Sequence, residues 1–365
     1  MLLSLPAYAK LNLCLAVAPP EPADGPQGPA RAGWHRIASW MSCIDLHDDV
    51  TIERLPEGAD SAYDIAWAAD APKPPRTARS PVVAPGGPPA AAPVDWPLDK
   101  DLAVRAHRAL EARAARPLPA RVTVRKRTPT GGGLGGGSSD AASVLIALHA
   151  LFASELAAAG VTAADVRAVG QRLGSDVGFF LDEDLLAQAA IHVARTRAEG
   201  LASPRLDAAP RPAIVEGFGE RVERVARVPS DVLLVIPPVE CPTPAVYRAF
   251  DAAPHPRPGV APERLADAVR AAHAQSLAAG VVLDRALFND LAPAASAVAP
   301  SLRDLADAFA NCAASAPPLH LTGSGSCHFL LVAPGRTPQL ASAARAALAD
   351  QPALASCVLL QSRLV

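Results

Sequence analysis

Residues 129–141 of this chain hold six glycines around one leucine and end in Ser-Ser-Asp-Ala. A loop with so few side chains exposes its backbone N–H groups, and glycine adopts the positive φ angles that turn successive N–H groups inward. Where such a concavity opens onto the N-terminus of a helix, the aligned donors and the helix dipole together favour phosphate. This glycine segment therefore predicts a phosphate-binding loop.

The sequence on either side indicates the elements that hold the glycine segment. Residues 121–125 alternate polar and apolar side chains before it, as strands do. A flexible linker fits poorly between two patterned elements, so strand, loop and helix together predict a phosphate cradle. The basic residues 125–127 would raise the local potential for a polyphosphate, but solvated side chains explain each of them equally well. Apolar residues recur at helical spacing after the segment: Val144, Leu145, Leu148, Leu151 and Phe152.

Other phosphate loops match this segment less well. Gly131, Gly133 and Gly136 formally spell Gly-x-Gly-x-x-Gly, yet six glycines in seven positions match almost any glycine pattern. A dinucleotide site also needs a strand that ends in an acidic residue about 20 residues further on, and Glu155 lies in helical sequence instead. A P-loop needs a lysine before its Ser or Thr, and Ser138 follows a glycine.

Two charged residues stand in apolar sequence, far apart along the chain. Lys10 interrupts an alternating strand pattern, where an unpaired ammonium group would be costly and needs an anion. Asp176 precedes Val-Gly-Phe-Phe-Leu, so a fully solvated carboxylate is not expected there. Asp176 and a transferred phosphate both qualify as partners of Lys10; a purely structural ion pair, and an Asp176 that only caps the next segment, are the alternatives. Asn12 lies on the same strand face as Lys10.

The bulk composition limits the classes of function. The 365 residues suffice for two domains, half of them are hydrophobic, and only 4% are aromatic. The net charge of −2 gives no overall attraction to nucleic acid or to an anionic membrane, so local groups must hold any anionic ligand. The nine histidines show no zinc spacing. The cysteines are scattered, without a Cys-x-x-Cys pair, and are expected to be reduced core residues: Cys14, Cys43, Cys241, Cys312, Cys327 and Cys357.

The apolar start of the chain, residues 1–9, has no basic residue before its apolar run, and Lys10 interrupts it. A secretory signal is therefore not expected, and no apolar run reaches the length of a membrane span. These features predict a cytoplasmic protein.

Strand and helix patterns alternate irregularly, which favours an α+β protein with mixed sheets over a doubly wound parallel sheet. Residues 68–97 contain nine prolines and are expected to be a mobile surface insertion without regular structure. Residues 182–212, charged, rich in alanine and in part helical, are expected to be a second insertion. Strands are expected at 3–17, 37–46, 50–54, 121–125, 232–236, 327–332 and 357–360. Helices are expected after the glycine segment and at 102–114, 162–173, 262–279, 301–313 and 339–349.

Three separated motifs resemble those of the GHMP small-molecule kinases. They are Pro-Ala-Tyr-Ala-Lys-Leu-Asn-Leu at 6–13, the glycine segment at 129–142, and Leu-Thr-Gly-Ser-Gly-Ser-Cys at 321–327. The resemblance implies a two-domain α+β fold. An N-terminal ATP-binding domain similar to ribosomal protein S5 would span 1–182 and carry the 68–97 insertion, residues 183–212 would be inserted next, and a ferredoxin-like α/β sandwich would span 213–365.

Within the family the chain resembles the members that use ATP to phosphorylate the 2-hydroxyl of a cytidyl-diphosphate polyol on a route to isoprenoid precursors. The closer likeness includes residues 33–35, 173–177, 242–247 and 289–291. It implies that Lys10 and Asp176 form the catalytic pair and that Asp176 accepts the proton of the alcohol. Mg²⁺ would accompany ATP, with Ser138 or Ser139 as a ligand, although helix capping explains either serine as well. The residues expected to bind ATP are Pro129, Gly131, Gly132, Gly133, Leu134, Gly135, Gly136, Gly137, Ser138 and Ser139.

The resemblance also implies a site for the cytidyl half of the substrate. Trp34 and Tyr247 match positions whose rings sandwich cytosine, and His35 matches a residue that hydrogen-bonds the edge of the base. Asn12 and Thr243 would contact the rest of the substrate. In the family the loop of the third motif lies beside the phosphate loop and the reacting hydroxyl, and a plain hairpin is the alternative for its members. These are Gly323, Ser324 and Gly325.

The chain departs from the family pattern in places. Trp34 stands where the family usually has tyrosine and Gly178 where it usually has proline, and residues 182–212 are inserted close to the expected active site. A GHMP kinase acting on homoserine or mevalonate, and a nucleotide-binding relative without turnover, remain alternatives; a dinucleotide-binding oxidoreductase ranks last. The expected partners are ATP and the small substrate, with no nucleic acid and no membrane, and monomer and homodimer both stay open.

Overall fold

The structure, a computed structural model, describes residues 1–24, 28, 31–72, 92–200, 205–311, 317–349 and 351–365. Over these residues strands and helices alternate irregularly. The strands are β1 (Leu2–Pro20), β2 (His35–Arg54), β3 (Ala62–Trp67), β4 (Ala92–Pro93), β5 (Ala120–Lys126), β6 (Ala213–Gly217), β7 (Arg221–Arg224), β8 (Asp231–Ile236), β9 (Phe288–Asn289), β10 (His320–Leu321), β11 (His328–Val332) and β12 (Val358–Arg363). The helices are α1 (Leu102–Ala114), α2 (Gly136–Leu151), α3 (Ala153–Ala158), α4 (Ala163–Leu173), α5 (Val177–Phe180), α6 (Glu183–Ala198), α7 (Thr243–Asp251), α8 (Leu265–Ala279), α9 (Ala292–Val298), α10 (Ser301–Asn311) and α11 (Thr337–Ala349).

The longest elements, β1 and β2, pair antiparallel over most of their length. The break expected between strands at 37–46 and 50–54 is wrong, because β2 continues through it. The polar residues that suggested a turn lie within the strand, and one of them, Asp48, is fully buried. β1 contributes to all three apolar clusters of the fold, through Leu5, Leu11 and Val17, so it joins the layers of the molecule.

The larger sheet has the strand order β4-β3-β5-β2-β1-β9, and β6 also pairs with β2 while β7 pairs with β6. The expected alternation of residues 121–125 is confirmed in β5, where Val122 and Val124 are buried. Val122 and Val124 belong to an apolar cluster to which helices α1, α2, α4, α5 and α6 also contribute, so these helices pack against the sheet. Helix α2 is buried along most of its length, which fixes the loop that precedes it.

The smaller sheet is antiparallel, in the order β10-β11-β8-β12. Because successive side chains of a strand point to opposite faces, β8 divides its apolar residues between two clusters. Val232 and Leu234 pack with β1 and α8, whereas Leu233 and Val235 pack with α7, α9, α10 and α11.

The α+β class is confirmed, with two sheets and helices segregated around them. Of the proline-rich segment, residues 73–91 lie outside the described residues. The expectation that none of it is regular is wrong for Ala92–Pro93, which pair with the edge of β3. Of the second insertion, residues 201–204 lie outside the described residues and Glu183–Ala198 form α6. The domain boundaries stay a prediction; β6 and β7, just after residue 212, pair within the larger sheet.

No helix in the described part of the chain is both long and apolar enough to cross a membrane. Cys14, Cys43, Cys241 and Cys327 are buried free thiols and Cys357 is a partly buried one, which agrees with their expected role as core residues. Cys312 lies outside the described residues.

Candidate active site

Lys10 lies on β1 between two irregularities in its register with β2. Its buried ammonium group donates hydrogen bonds to Oδ1 of Asn12 and, at 2.8 Å, to the carbonyl oxygen of Gly133. Oδ2 of Asp176 lies 3.5 Å from the same Nζ atom. Three oxygen atoms, one of them anionic, therefore offset the cost of burying this charge. The expected partner of Lys10 is present.

Asp176 stands directly before the four-residue helix α5, and its side chain makes no capping hydrogen bond there. The contacts of Asp176 therefore argue against the alternative that it only caps the next segment. Its side chain is 26% exposed, and the residue lines the same cavity as Lys10. A carboxylate that is paired on one side and accessible on the other can accept a proton from a bound alcohol.

Three glycines of the glycine segment adopt left-handed backbone angles, with φ of 67° at Gly131, 74° at Gly133 and 71° at Gly135. A Cβ atom at Gly133 would lie 2.1 Å from the carbonyl oxygen of Thr322, so this close approach requires glycine. Gly135 is the residue that precedes α2, so the loop opens directly onto a helix N-terminus, as the sequence predicts. Backbone donors and the helix dipole together favour an anion at this point.

The three sequence motifs meet at the glycine segment. The N–H group of Ser326 donates to the carbonyl oxygen of Gly131 at 3.3 Å. The buried hydroxyl of Thr322 accepts from the N–H group of Asn12 at 3.0 Å and donates to the carbonyl oxygen of Gly133 at 3.3 Å. A single side chain thus connects the first, second and third motifs, although sequence reasoning did not single it out.

The loop of the third motif is held by more than its own turn. The side chain of Asn289 donates to the carbonyl oxygen of Gly323 at 2.9 Å. The hydroxyl groups of Thr243 and Ser324 are 2.8 Å apart. Gly323 and Ser324 line the cavity, while Gly325 is buried. These contacts argue against a plain hairpin.

A cavity of about 490 Å³ lies among these motifs. Of the two candidate serines, Ser138 lines it and Ser139 is buried, with 2% of its surface exposed. Every other residue expected to bind ATP lines the cavity, together with Ser175, Leu102, Lys126 and Thr128. Asn12 also lines it, but its Oδ1 is used by Lys10 and its Nδ2 donates to Ser39 at 2.8 Å.

The residues expected to bind the base are not all brought to this cavity. Thr243 and Tyr247 line it, whereas His35 and Trp34 do not. The ring of His35 lies against that of Tyr247, with centroids 4.8 Å apart, and Nδ1 of His35 is 2.8 Å from the carbonyl oxygen of Ala18. Burial and, to a lesser degree, the charge of Asp176 raise the pKa of Tyr247 to about 12, so its hydroxyl stays neutral.

Trp34, the residue before His35, is 51% exposed. Its ring packs edge-on against Phe218, with centroids 6.2 Å apart. The guanidinium carbon of Arg31 lies 4.5 Å from the centroid of Trp34 and 4.6 Å from that of Phe218. Arg31 and Phe218 were not expected at this site, and they give Trp34 a defined surrounding.

Comparison with known proteins identifies the family to which this chain is similar. Residues 101–184 match the family model of the N-terminal domain of GHMP kinases. The 4-diphosphocytidyl-2-C-methyl-D-erythritol kinase of Polaromonas sp. (strain JS666) is 31% identical over 334 residues, which cover 90% of this chain and 82% of that protein. The protein of the same name from Aromatoleum aromaticum is 29% identical, over 90% of this chain and 84% of its own.

The chain belongs to the GHMP kinase family. A crystal structure of 4-(cytidine 5'-diphospho)-2C-methyl-D-erythritol kinase superposes with a TM-score of 0.61 at 24% identity, over 99% of both chains. Leishmania major mevalonate kinase superposes with a TM-score of 0.54 at 13% identity, over 98% of this chain and 94% of that one. The two-domain GHMP kinase fold is therefore shared between kinases that act on different substrates.

Beneath the glycine segment of this GHMP kinase lies a buried charge cluster that sequence reasoning missed. Nζ of Lys126 donates to Oδ2 of Asp48 at 2.6 Å and to Oδ2 of Asp140. Asp48 also accepts from the N–H group of Thr128 at 2.7 Å. Burial raises the pKa of Asp140 well above its usual value, although the charge of Lys126 opposes this; the pKa of Lys126 itself is raised by both carboxylates against its own burial. The cluster ties β2, β5 and α2 together at the start of the loop.

Among the described residues, no group of three or more Asp, Glu, His or Cys side chains is arranged to hold a metal ion. The Ser138 hydroxyl, on the cavity wall at the first turn of α2, is a hard oxygen ligand of the kind that Mg²⁺ prefers.

Proposed function

We propose that this protein transfers the γ-phosphoryl group of ATP to the 2-hydroxyl of 4-diphosphocytidyl-2-C-methyl-D-erythritol, a step of the methylerythritol phosphate route to isoprenoid precursors. The observation that carries the proposal is the pair of Lys10 and Asp176, 3.5 Å apart, on the wall of the cavity that the glycine segment lines. The two relatives of that name, matched over 82% and 84% of their own length, support the substrate.

The glycine segment and the N-terminus of α2 would hold the triphosphate. Their backbone N–H groups are preorganised donors, since Gly131, Gly133 and Gly135 hold left-handed angles and neighbouring residues pack closely against Gly133 and Gly135. The Ser138 hydroxyl would ligate Mg²⁺ bound to the phosphates. When bound, the cation neutralises charge on the β- and γ-phosphates.

The acid–base chemistry falls to Asp176 and Lys10. The carboxylate of Asp176 accepts the proton of the substrate 2-hydroxyl while the hydroxyl oxygen forms a bond to the γ-phosphorus of ATP. The bond between that phosphorus and the β–γ bridging oxygen breaks, which leaves ADP and the phosphate ester. Lys10, whose ammonium group is fixed by Gly133 and Asn12, stabilises the carboxylate and the charge that develops on the transferred group.

The cytidyl group would bind beyond the reacting hydroxyl, near Tyr247. This ring lines the cavity and is oriented by its contact with His35. Trp34 would supply the second aromatic face, His35 a hydrogen bond to the edge of the base, and Thr243 and Asn12 polar contacts to the polyol and diphosphate. The reduced, buried cysteines suit a reaction in the cytoplasm, which we propose as its place.

The decisive experiment is incubation of the purified protein with Mg²⁺, ATP and the cytidyl substrate, followed by ³¹P NMR of the product. A new phosphate monoester on the polyol is expected for the wild type. Asp176→Asn keeps the shape of the side chain but cannot accept the proton, so kcat should fall about 100-fold or more while the melting temperature stays close to that of the wild type. An unchanged rate would refute the assigned base.

A second candidate function is phosphorylation of homoserine or mevalonate, since the mevalonate kinase fold superposes on this chain. CMP separates the two candidates, because only an enzyme with a cytosine site should be inhibited by it in competition with its alcohol substrate. Turnover of homoserine or mevalonate without inhibition by CMP would favour the second function.

A further inference from the structure

The turn between β6 and β7, residues 218–220, lies against the segment that carries Asp176. Gly219 has a left-handed φ of 100°, and a Cβ atom there would lie 2.1 Å from the carbonyl oxygen of Ser175. On the other side of the aspartate, a Cβ atom at Gly178 would lie 3.0 Å from the carbonyl oxygen of Gly219. The backbone of the turn is therefore in direct contact with residues both before and after Asp176.

A second contact to the same segment comes from Arg224, at the end of β7. One terminal nitrogen of its guanidinium group donates to the carbonyl oxygen of Phe179 at 2.7 Å, and the other donates to the carbonyl oxygen of Arg211 at 2.7 Å. The guanidinium carbon also lies 5.5 Å from the ring centroid of Phe179. Phe179 belongs to α5, the helix that begins directly after Asp176.

The position of Arg224 is fixed in turn by a buried carboxylate. Asp182 is 2% exposed, and Nε of Arg224 lies 3.6 Å from its Oδ2 atom. Asp182 also accepts from the N–H group of Arg211 at 3.0 Å and from its side chain at 2.9 Å. Arg224 and Arg211 are thus both held by the same carboxylate, which leaves the guanidinium group of Arg224 little freedom to move away from Phe179.

Helix α5 needs such outside support. It has four residues, and a helix of one turn is not stable by itself because its nucleation is unfavourable. Asp176 makes no capping bond to it, so the helix gains nothing from that side chain. The position of Asp176 in the cavity wall is consequently set by the residues that pack on 175–179.

We infer that Gly219 and Arg224 are positioning residues that hold Asp176 in line with Lys10 and the glycine segment. Neither lines the cavity, so both act through the backbone of residues 175–179. The inference rests on the proposed function only in taking Asp176 as the group that accepts the proton. Because a displacement of about 1 Å can cost about 100-fold in rate, loss of either contact lowers kcat. The KM for ATP stays within about twofold, since the glycine segment is not touched.

The experiment compares four variants with the wild type on the cytidyl substrate. Gly219→Ala is expected to lower kcat about 10- to 100-fold. The control is Gly160→Ala, which introduces the same left-handed strain, at φ of 66°, where nothing lies within 4 Å; its kcat should remain that of the wild type. Arg224→Met should lower kcat in the same way as Gly219→Ala, and Arg224→Lys, which keeps one donor for Phe179, should restore part of it.

The outcomes separate positioning from general destabilisation. A fall in kcat with unchanged KM for ATP, at a temperature where the melting curve shows every variant folded, supports the inference. Equal losses in Gly219→Ala and Gly160→Ala, or no gain from Arg224→Met to Arg224→Lys, would overturn it.

A crystal structure of Gly219→Ala beside the wild type decides the same point without turnover. The separation of Lys10 Nζ and Asp176 Oδ2 should widen beyond 4 Å from its present 3.5 Å. If the wild type fails to phosphorylate the cytidyl substrate, the proposed function falls, and the crystal comparison still judges the positioning role. An unmoved Asp176 in that comparison would refute the positioning role whatever the substrate.

Discussion

Lys10 donates a hydrogen bond of 2.8 Å to the carbonyl oxygen of Gly133, at the centre of the glycine segment. The group expected to stabilise the transferred phosphoryl is thereby attached to the loop expected to hold the phosphates. The hydroxyl of Thr322, in the third motif, donates a hydrogen bond of 3.3 Å to the same carbonyl oxygen. A change at Gly133 therefore acts on the glycine segment, on the ammonium group of Lys10 and on the third motif together.

Gly133→Ala tests this meeting point, with Gly131→Ala as its matched control. Both substitutions place a side chain at a left-handed angle, φ of 74° and 67°, which costs about 1–2 kcal/mol of unfolding free energy. Only the alanine at 133 also meets backbone, 2.1 Å from the carbonyl oxygen of Thr322, whereas nothing lies within 4 Å at 131. We expect Gly133→Ala to lower the melting temperature further than Gly131→Ala and to raise the KM for ATP about tenfold or more.

Chemical unfolding and initial-rate kinetics of the two variants check this expectation. Equal free energies of unfolding and equal KM values for ATP would mean that the contact with Thr322 contributes neither to stability nor to ATP binding. A loss in Gly133→Ala confined to stability would mean that the loop holds its shape without the third motif.

The glycine loop and the need of Lys10 for an anion were predictable because each leaves a local signal, whereas the choice of Asp176 over a transferred phosphate came only from the family resemblance. Six glycines between a strand and a helix allow few structures, and a lysine inside an apolar strand requires an anion. The cluster of Asp48, Lys126 and Asp140 left a weaker mark. Continuing the alternation of Val122 and Val124 by one step would have placed Lys126 on the buried face of β5, yet its basic neighbours suggested solvent.

What could not be predicted depends on contacts between distant segments. The His-Asp-Asp stretch of β2 resembles a turn, and it becomes a strand because Asp48 finds partners on β5 and the loop after it. Arg224 and Asp182 gave no signal in sequence, since their importance comes from where β7 packs. The surroundings of Trp34 likewise depend on Phe218, which follows it by more than 180 residues.

Ser138 and Ser139 differ in exposure, and this difference makes a prediction about the metal. Ser138 lines the cavity and Ser139 is buried, so only the first is placed to ligate a cation that enters with ATP. Ser138→Ala should raise the Mg²⁺ concentration that gives half-maximal activity several-fold. Ser139→Ala should leave that concentration unchanged and lower the melting temperature instead. Titration of activity with Mg²⁺ at saturating ATP measures both, and the reverse result would assign the ligand to Ser139.

Asp182 gives the fold a defined dependence on pH. Burial opposes its ionisation, but hydrogen bonds from Arg211 and the charge of Arg224 lower its pKa to about 2. The unfolded chain takes up the proton near pH 4, while the folded chain stays charged, so the stabilisation is complete above that pH and is lost as the pH falls towards 2. Relative to Asp182→Asn, the wild type should be about 2 kcal/mol more stable at pH 7, and the difference should narrow below pH 4.

Urea unfolding of both proteins between pH 7 and pH 3 measures this difference. Asp184→Asn is the control, because its carboxylate also pairs with Arg211, at 3.1 Å, but is mostly exposed and so contributes little. A difference between the wild type and Asp182→Asn that stays constant across this range would contradict the assignment of the titration to Asp182.

Tyr247 and Trp34 make separable predictions about the base. Tyr247→Ala removes a ring that lines the cavity, and stacking of a base on such a ring is worth about 1–3 kcal/mol, so the KM for the cytidyl substrate should rise about 5- to 150-fold. Tyr247→Phe keeps the ring, and its KM for the cytidyl substrate should stay within a few-fold of the wild type.

Trp34 is half exposed, so Trp34→Ala should cost little stability. A rise in its KM for the cytidyl substrate similar to that of Tyr247→Ala would indicate a second stacking face. Steady-state kinetics with varied cytidyl substrate and, separately, varied ATP check all three variants. An unchanged KM in Trp34→Ala would leave Tyr247 as the stacking face without Trp34, and equal losses in Tyr247→Phe and Tyr247→Ala would move the role of Tyr247 from its ring to its hydroxyl.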